Sequence, residues 1–423
     1  MSANLSLNGC DYLMLGFDHE LRRLGFSGNS CQIILELGAM VSPDRLQKRL
    51  AALHNRWPIL GARPGGFLRP RWKVPRSVSP NPHVRTHKAE PQVCQRLFNE
   101  PLDLQSGELL RFDLVEREKG ARLLFTWAHA LMDAPSAEYF LALVGREDLE
   151  LPIGNNGQPQ PLTKSGLVER LKLAWKTLHR IDKMGATPPR SLGSRQPQAP
   201  TQLRYRVEKF SGEETQAVRA NGVRLGGVLG AAQYHAAVAM VELNRLHARL
   251  GSPSASYVLP VPVGLRPKGT FEPIFSNQVT MLMTQFLPEH LASVENALAS
   301  LKTQLQEALR SNLLESGRVL SDLFRFLPLR IYMAVLKKGL RGEICSLFYG
   351  DTASVNPHLT SFLGAPIEDF VHVAAITPSP GVGVIFYYFQ GNLRLTVLHL
   401  LTVISEEEAA EFAANLRKRL LNP

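Results

Sequence analysis

At 423 residues, 44% of them hydrophobic and 20% charged, the chain has the composition of a soluble globular protein and is too long for one ordinary core, so two domains or two halves are expected. Cys10, Cys31, Cys94 and Cys345 are scattered without CxxC or Cys/His spacing, which argues against structural zinc and a secreted disulfide framework and for a reducing cytoplasm. The net charge of +11 favours an anionic partner, an acidic membrane surface or the phosphates of coenzyme A; nucleic acid is not expected, because the basic residues are dispersed and no nucleic-acid-binding signature accompanies them. No secretory leader is expected, since the opening MSANLSLNGCDYLML lacks a basic start and is interrupted by Asp11.

Beyond residues 11–23, residues 31–37 read as a strand, and Ser42-Pro43-Asp44 starts a helix with a cap, a proline and an acid in the first turn. Leu46, Leu50 and Leu53 form its buried stripe. Residues 109–115 and 121–127 flank Glu118-Lys119-Gly120 as a β-hairpin whose second strand delivers His129. A helix is expected to begin near Ser136, with Tyr139, Phe140, Leu143 and Val144 at helical spacing. Leu167, Val168, Leu171, Trp175, Leu178 and Ile181 then share one helical face, and Arg170, Lys172, Lys176, Arg180 and Lys183 crowd the others. Such a helix either lies on a membrane surface or, the plainer reading, packs its apolar side and solvates its basic one.

Four prolines in 185–201 mark a linker, dividing the chain into 1–184 and 202–423. In the second half, residues 203–207 read as a strand, Ser211 and Glu214 as a capping box, and 226–250 as a long helix. Strand patterns at 257–266 and 276–280, helical pattern over 288–316, an apolar and basic stretch over 320–338, and two or three strands ending at Leu400 follow. A last helix opens on the capping box of Ser405 and Glu408. His54, His235 and His399 lie in apolar patterns and read as core residues, and Trp72 as packing.

His129-Ala-Leu-Met-Asp133, followed by Pro135-Ser136, resembles the His-x-x-x-Asp-Gly-x-Ser motif of the CoA- and thioester-dependent acyltransferase superfamily. That group includes chloramphenicol acetyltransferase, the condensation domains of nonribosomal peptide synthetases, plant alcohol acyltransferases and bacterial wax ester synthase/diacylglycerol acyltransferases. Ala128 stands where many members have a second His, and Ala134 where they have Gly, a change that disfavours positive φ. The order of further segments is also similar. Arg56-Trp57-Pro58-Ile59-Leu60 resembles an Arg-His-Pro-x-Leu-Arg element, 257–266 a Pro-Val-x-x-Arg strand, and Ser276-Asn277-Gln278-Val279-Thr280 a Val-Asn-Thr strand. Gly226-Gly227 replace the Asn-Asp of wax ester synthases.

The resemblance implies an α+β fold, an α/β two-layer sandwich of two chloramphenicol-acetyltransferase-like halves with a tunnel and active site between them. It implies an acyltransferase that moves an acyl group, of fatty length, from a CoA or carrier-protein thioester to a hydroxyl, with His129 as general base. Asp133 would turn from the substrate to fix the bend by pairing with Arg56. Asn277 or Ser276 would donate to the oxyanion, with strand-edge pairing as the alternative. Arg266 would hold a coenzyme A phosphate or, equally, tie down a strand end through a carboxylate. No metal and no permanently bound cofactor are expected. The partners are the acyl thioester, on coenzyme A or an acyl-carrier protein, and a hydroxyl or amine acceptor. Amide formation by a free-standing condensation-type enzyme is the second reading, and a catalytically silent thioester- or lipid-binding scaffold the third. The expected location is cytoplasmic, with contact to the inner face of a membrane weighed alongside.

Overall fold

The computed structural model describes every residue except 1–3, 67–68, 76–82, 152–165, 196–201, 228–229 and 268. In chain order the elements are β1 (Asn4–Ser6), α1 (Gly9–Arg23), β2 (Ser30–Leu37), α2 (Pro43–Arg56), β3 (Arg63–Gly65), β4 (Arg71–Lys73), β5 (His83–His87), α3 (Val93–Phe98), β6 (Leu110–Glu116), β7 (Ala121–Ala128), α4 (Ala134–Gly145) and α5 (Leu167–Ala186). The chain continues with β8 (Leu203–Lys209), α6 (Gly212–Gly226), α7 (Ala231–Arg249), β9 (Tyr257–Gly264), β10 (Val279–Phe286), α8 (Val294–Arg310), α9 (Leu313–Phe324), α10 (Leu329–Gly339), β11 (Phe348–Ser354), β12 (Ser361–Phe362), β13 (Ala365–Ala374), β14 (Val382–Phe389), β15 (Asn392–Leu400) and α11 (Glu406–Leu421).

The local signals act as the residues dictate. Ser42 caps α2, and Ser211 and Ser405 each close a capping box with the Glu three residues on. The helix expected over 226–250 begins instead at Ala231, and residues 228–229 lie outside the described residues. The helical pattern over 288–316 divides between α8 and α9 at Asn312, whose φ of 54° interrupts the helical ladder. Helix α5 runs into the expected linker as far as Ala186, and residues 196–201 of that linker lie outside the described residues.

Two larger sheets organise the chain. One has the order β12-β13-β2-β7-β6-β5, the other β11-β14-β15-β8. Strand β13 pairs antiparallel with β2, with Val371 opposite Ile34, so two strands from residues 361–374 complete a sheet otherwise built before residue 129. Helices α2 and α4 bury their apolar sides in the core of that sheet, where Trp57, Phe140, Phe125 and Phe275 meet with ring centroids 5.4–6.4 Å apart. Trp57 thus packs in the core at the position that the resemblance above would give to a His. The second core surrounds α7, α8, α11, β14 and β15.

The N-terminus is clamped to the later chain. Gly9 donates its main-chain N–H to Asp322 Oδ1 at 2.8 Å, and a Cβ there would meet the Asp322 nitrogen at 2.4 Å, so only glycine lets α1 approach α9 this closely. His54, His235 and His399 are buried, as expected of core residues, and Trp72 is buried as well. Helix α5 departs from the packed reading over its first half: Leu167, Val168, Leu171 and Trp175 are 53–68% exposed. With Leu320, Leu323 and Phe324 of α9 the same stretch lines an apolar groove of about 570 Å³. No helix among the described residues is long and apolar enough to cross a membrane.

Candidate functional site

Strand β7 is bonded on one side to β2 and on the other to β6, and it ends where the Ala128 N–H reaches Leu109 O and the His129 N–H reaches Asn29 O. A tight turn follows, held by Leu131 N–H to Ala128 O and by the Trp127 indole N–H to Met132 O. The turn leaves His129 half-buried and hands the chain to α4. Asp133 is the cap of that helix, with Oδ1 accepting from Ser136 N at 3.1 Å, so the helix starts two residues before the expected Ser136. Ala134 is its first helical residue and has no positive φ. The Gly of related motifs is therefore not required here.

The partner of Asp133 is Arg266, not Arg56. Arg266 Nη1 donates to Asp133 Oδ2 at 2.7 Å, while Nη2 donates to Ser136 Oγ, Pro273 O and Ser276 O. Arg56 is exposed at the far end of α2. The fork of a guanidinium spans a carboxylate and several carbonyls at once, and only Arg266, at the exit of β9, is placed to do this. The same fact removes Arg266 as a phosphate ligand, since both terminal nitrogens are committed within the protein.

Residues 276–278 bring the second half of the chain to the first. The Gln278 N–H donates to Asp133 Oδ2 at 2.8 Å. Asn277 Nδ2 donates to His129 O at 2.9 Å and to Asp11 Oδ1 at 3.0 Å, and its main-chain N–H reaches Asp11 Oδ1 at 2.7 Å. Both amide hydrogens of Asn277 are thereby used, which leaves none for an oxyanion and makes this residue a clamp on the carbonyl of His129. Ser276 differs. Its Oγ accepts from Asn8 Nδ2 and Gln278 Nε2, both at 2.9 Å, so its own O–H remains to donate elsewhere.

Asp11, Asn8 and Gln278 were not singled out from the sequence. The available signal was a lone carboxylate in the apolar stretch CDYLML. Burial pushes the Asp11 carboxyl up to about 7, against the hydrogen bonds from Asn277 and Asn8 that favour its charged form. Burial also disfavours a charged His129, but the Cys31 sulphur, the residue's own carbonyl and Asp133 outweigh it and raise the imidazole to about 9. Nδ1 of the ring is buried and makes no hydrogen bond of ordinary geometry. Cys10, beside Asp11, is raised well above the usual thiol range by burial and by Asp11, Asp133 and Asp322.

No family profile and no curated protein matches the sequence. Solved structures do match over the whole chain. The trichothecene 15-O-acetyltransferase TRI3 of Fusarium sporotrichioides is similar at a TM-score of 0.73 and 12% identity, covering 99% of this chain and 95% of that one. The condensation domain of the monacolin K polyketide synthase MokA aligns at a TM-score of 0.66 and 15% identity, covering 100% and 98%. The fold is the one seen in these acetyltransferase and condensation-domain structures. The first condensation domain of the CDA synthetase is a third example, at a TM-score of 0.67 and 14% identity, covering 100% and 97%. At these identities the likeness is one of α/β architecture in two lobes, and the chemistry has to be argued from the side chains above.

Proposed function

We propose that the protein is an acyltransferase in which His129 takes the proton of an acceptor hydroxyl as that oxygen attacks a thioester carbonyl. The observation that carries this reading is the half-buried imidazole at the meeting of the two parts of the chain. Its carbonyl is pinned by Asn277, and the neighbouring Asp133 is fully occupied by Arg266, Gln278 and the cap of α4. Asp133 in this reading fixes the bend and takes no proton. As the new C–O bond forms, the carbonyl electrons move to oxygen, where the free O–H of Ser276 donates to them; one such donor is typically worth about 3 kcal/mol. Collapse breaks the C–S bond, and the departing thiolate takes the proton back from the imidazolium. The thioester is already activated, so no acyl-enzyme is required, and holding both substrates in one place supplies much of the rate.

The donor is an acyl-CoA or an acyl-carrier protein, and no permanently bound cofactor takes part. A fatty acyl group and work at a membrane surface are the finer part of the proposal. They are supported by the exposed Leu167, Val168, Leu171 and Trp175 beside the exposed Lys172, Lys176 and Lys183, a face that complements an anionic bilayer.

The test is thiol release from a panel of acyl-CoAs and acyl-carrier proteins, with hydroxyl and amine acceptors, with and without anionic vesicles. Wild type should release thiol, and His129→Ala should lose at least about 100-fold in rate with an unchanged melting temperature. Because the neutral ring is the active form, kcat/KM, which reports the free enzyme, should rise with pH towards about 9. Turnover only with carrier-bound acyl and amine would select the condensation reading. Binding without thiol release would select the silent scaffold, and full activity in His129→Ala would end the general-base proposal. Rates and protein partitioning indifferent to vesicles would remove the membrane part.

A further inference from the structure

With Arg266 committed to Asp133, the phosphates of a thioester donor need other cations, and one surface near the site offers them. Strands β1, β4 and β3 form a small sheet in that order. Its β4 alternates exposed Arg71, buried Trp72 and exposed Lys73, so Arg71 and Lys73 share the outer face while Trp72 anchors the inner one in the core. Arg63 of β3, also exposed, stands directly opposite Lys73, and exposed Arg69 lies just before β4.

Like charges directly opposite one another destabilise a sheet, yet among the described residues no ion pair compensates any of these four. The Lys73 side chain lies across Gly65, where a Cβ would meet its Cε at 2.4 Å. A larger residue at position 65 would push the ammonium off this face.

The sheet is also joined to the site by short connections. Ser6 of β1 is opposite Arg71, the next residue, Leu7, donates its main-chain N–H to Pro70 O at 3.1 Å, and the one after, Asn8, bonds Ser276 and Asn277. In a pantetheine thioester the arm separates the phosphates from the acyl carbonyl, so cations that hold those phosphates must stand off from the imidazole by several residues of chain.

We infer that the outer face of this sheet, Arg63, Arg69, Arg71 and Lys73, binds the phosphate end of the pantetheine thioester donor. The inference rests on the thioester reading above and adds where the donor is held. Two sources carry the same chemistry, the phosphates of free coenzyme A and the phosphodiester of a pantetheinylated carrier protein, and the experiment separates them.

Binding of coenzyme A, of a phosphopantetheinylated carrier protein, and of pantetheine without phosphate would be measured by calorimetry on full-length His129→Ala protein, so that turnover plays no part. The double substitution Arg71→Glu with Lys73→Glu should weaken the phosphate-bearing ligand by about tenfold or more and leave pantetheine unchanged, with a matching salt dependence in the parent. Loss with coenzyme A assigns the face to the free coenzyme; loss with the carrier alone assigns it to the tethered arm. Unchanged binding of both, equal weakening of pantetheine, or no binding of either by the parent overturns the inference. The melting temperature should hold, because both side chains are exposed; Gly65→Val, which displaces Lys73, provides an independent variant. Phosphate-dependent binding combined with a catalytically silent wild type would leave this surface standing and remove only the acyl-transfer reading.

Discussion

At the scale of single residues, the site is held by groups that water would otherwise satisfy. Asp11 is buried and accepts from Asn277 and Asn8, and its carboxyl is raised from an ordinary 3.8 to about 7. Between those values the folded protein holds a proton that the unfolded chain has released. The contribution of Asp11 to stability is therefore fully present below 3.8 and is lost as pH rises to about 7. Urea-unfolding midpoints should fall across that window, and Asp11→Asn, which keeps the Oδ1 acceptor for Asn277, should flatten the fall; an identical slope in the variant would contradict the assignment. His129, raised from 6.5 to about 9, loses its own stabilising contribution across that higher range, so most of the Asp11 window, from 3.8 to 6.5, is free of it.

At the scale of elements, Asp133 is the joint between β7, α4 and the segment that follows β9. Its Oδ1 caps α4 and its Oδ2 takes both Arg266 and the Gln278 N–H. Arg266→Ala would leave this carboxylate buried without its cation, a loss of about 3–5 kcal/mol in unfolding free energy, whereas Arg56→Ala, at an exposed helix end, should change it by less than about 1 kcal/mol. Equal effects of the two substitutions in denaturant titrations would restore Arg56 as the partner. The helix starts, the hairpin and the strand leading to His129 were legible because caps, turn residues and apolar periodicity act over three to seven residues. Which arginine meets Asp133 was not, because Arg56 and Arg266 are each compatible with their own local structure and only the path of the chain brings one of them to the bend.

For the whole molecule, the strand exchange matters most. Strands β12 and β13 come from 361–374 but lie beside β2, so residues 1–184 alone would expose the apolar edge of β2 that Ile367 to Ala374 cover. Expressed by itself, that segment should be recovered mainly as insoluble material, and supplying 361–374 within the full chain should be what restores solubility; a soluble, cooperatively unfolding fragment would refute this. Helix α1 adds a second tie, through Gly9 to Asp322 and the Tyr12 hydroxyl to Leu327 O.

The amino-acid sequence by itself settled most of the local elements and the position of His129 at a strand end, because these follow from contacts between near neighbours along the chain, while the α/β class came from the resemblance of the His129 to Ser136 segment and the segments around it to a known superfamily. Only the tertiary structure decided that Arg266 and not Arg56 neutralises Asp133, that Asn277 clamps a carbonyl while Ser276 keeps a free hydroxyl, and that α5 leaves half of its apolar face uncovered. Those outcomes depend on which distant segments share a volume, and pairings across 133 to 266 residues leave no trace in local periodicity.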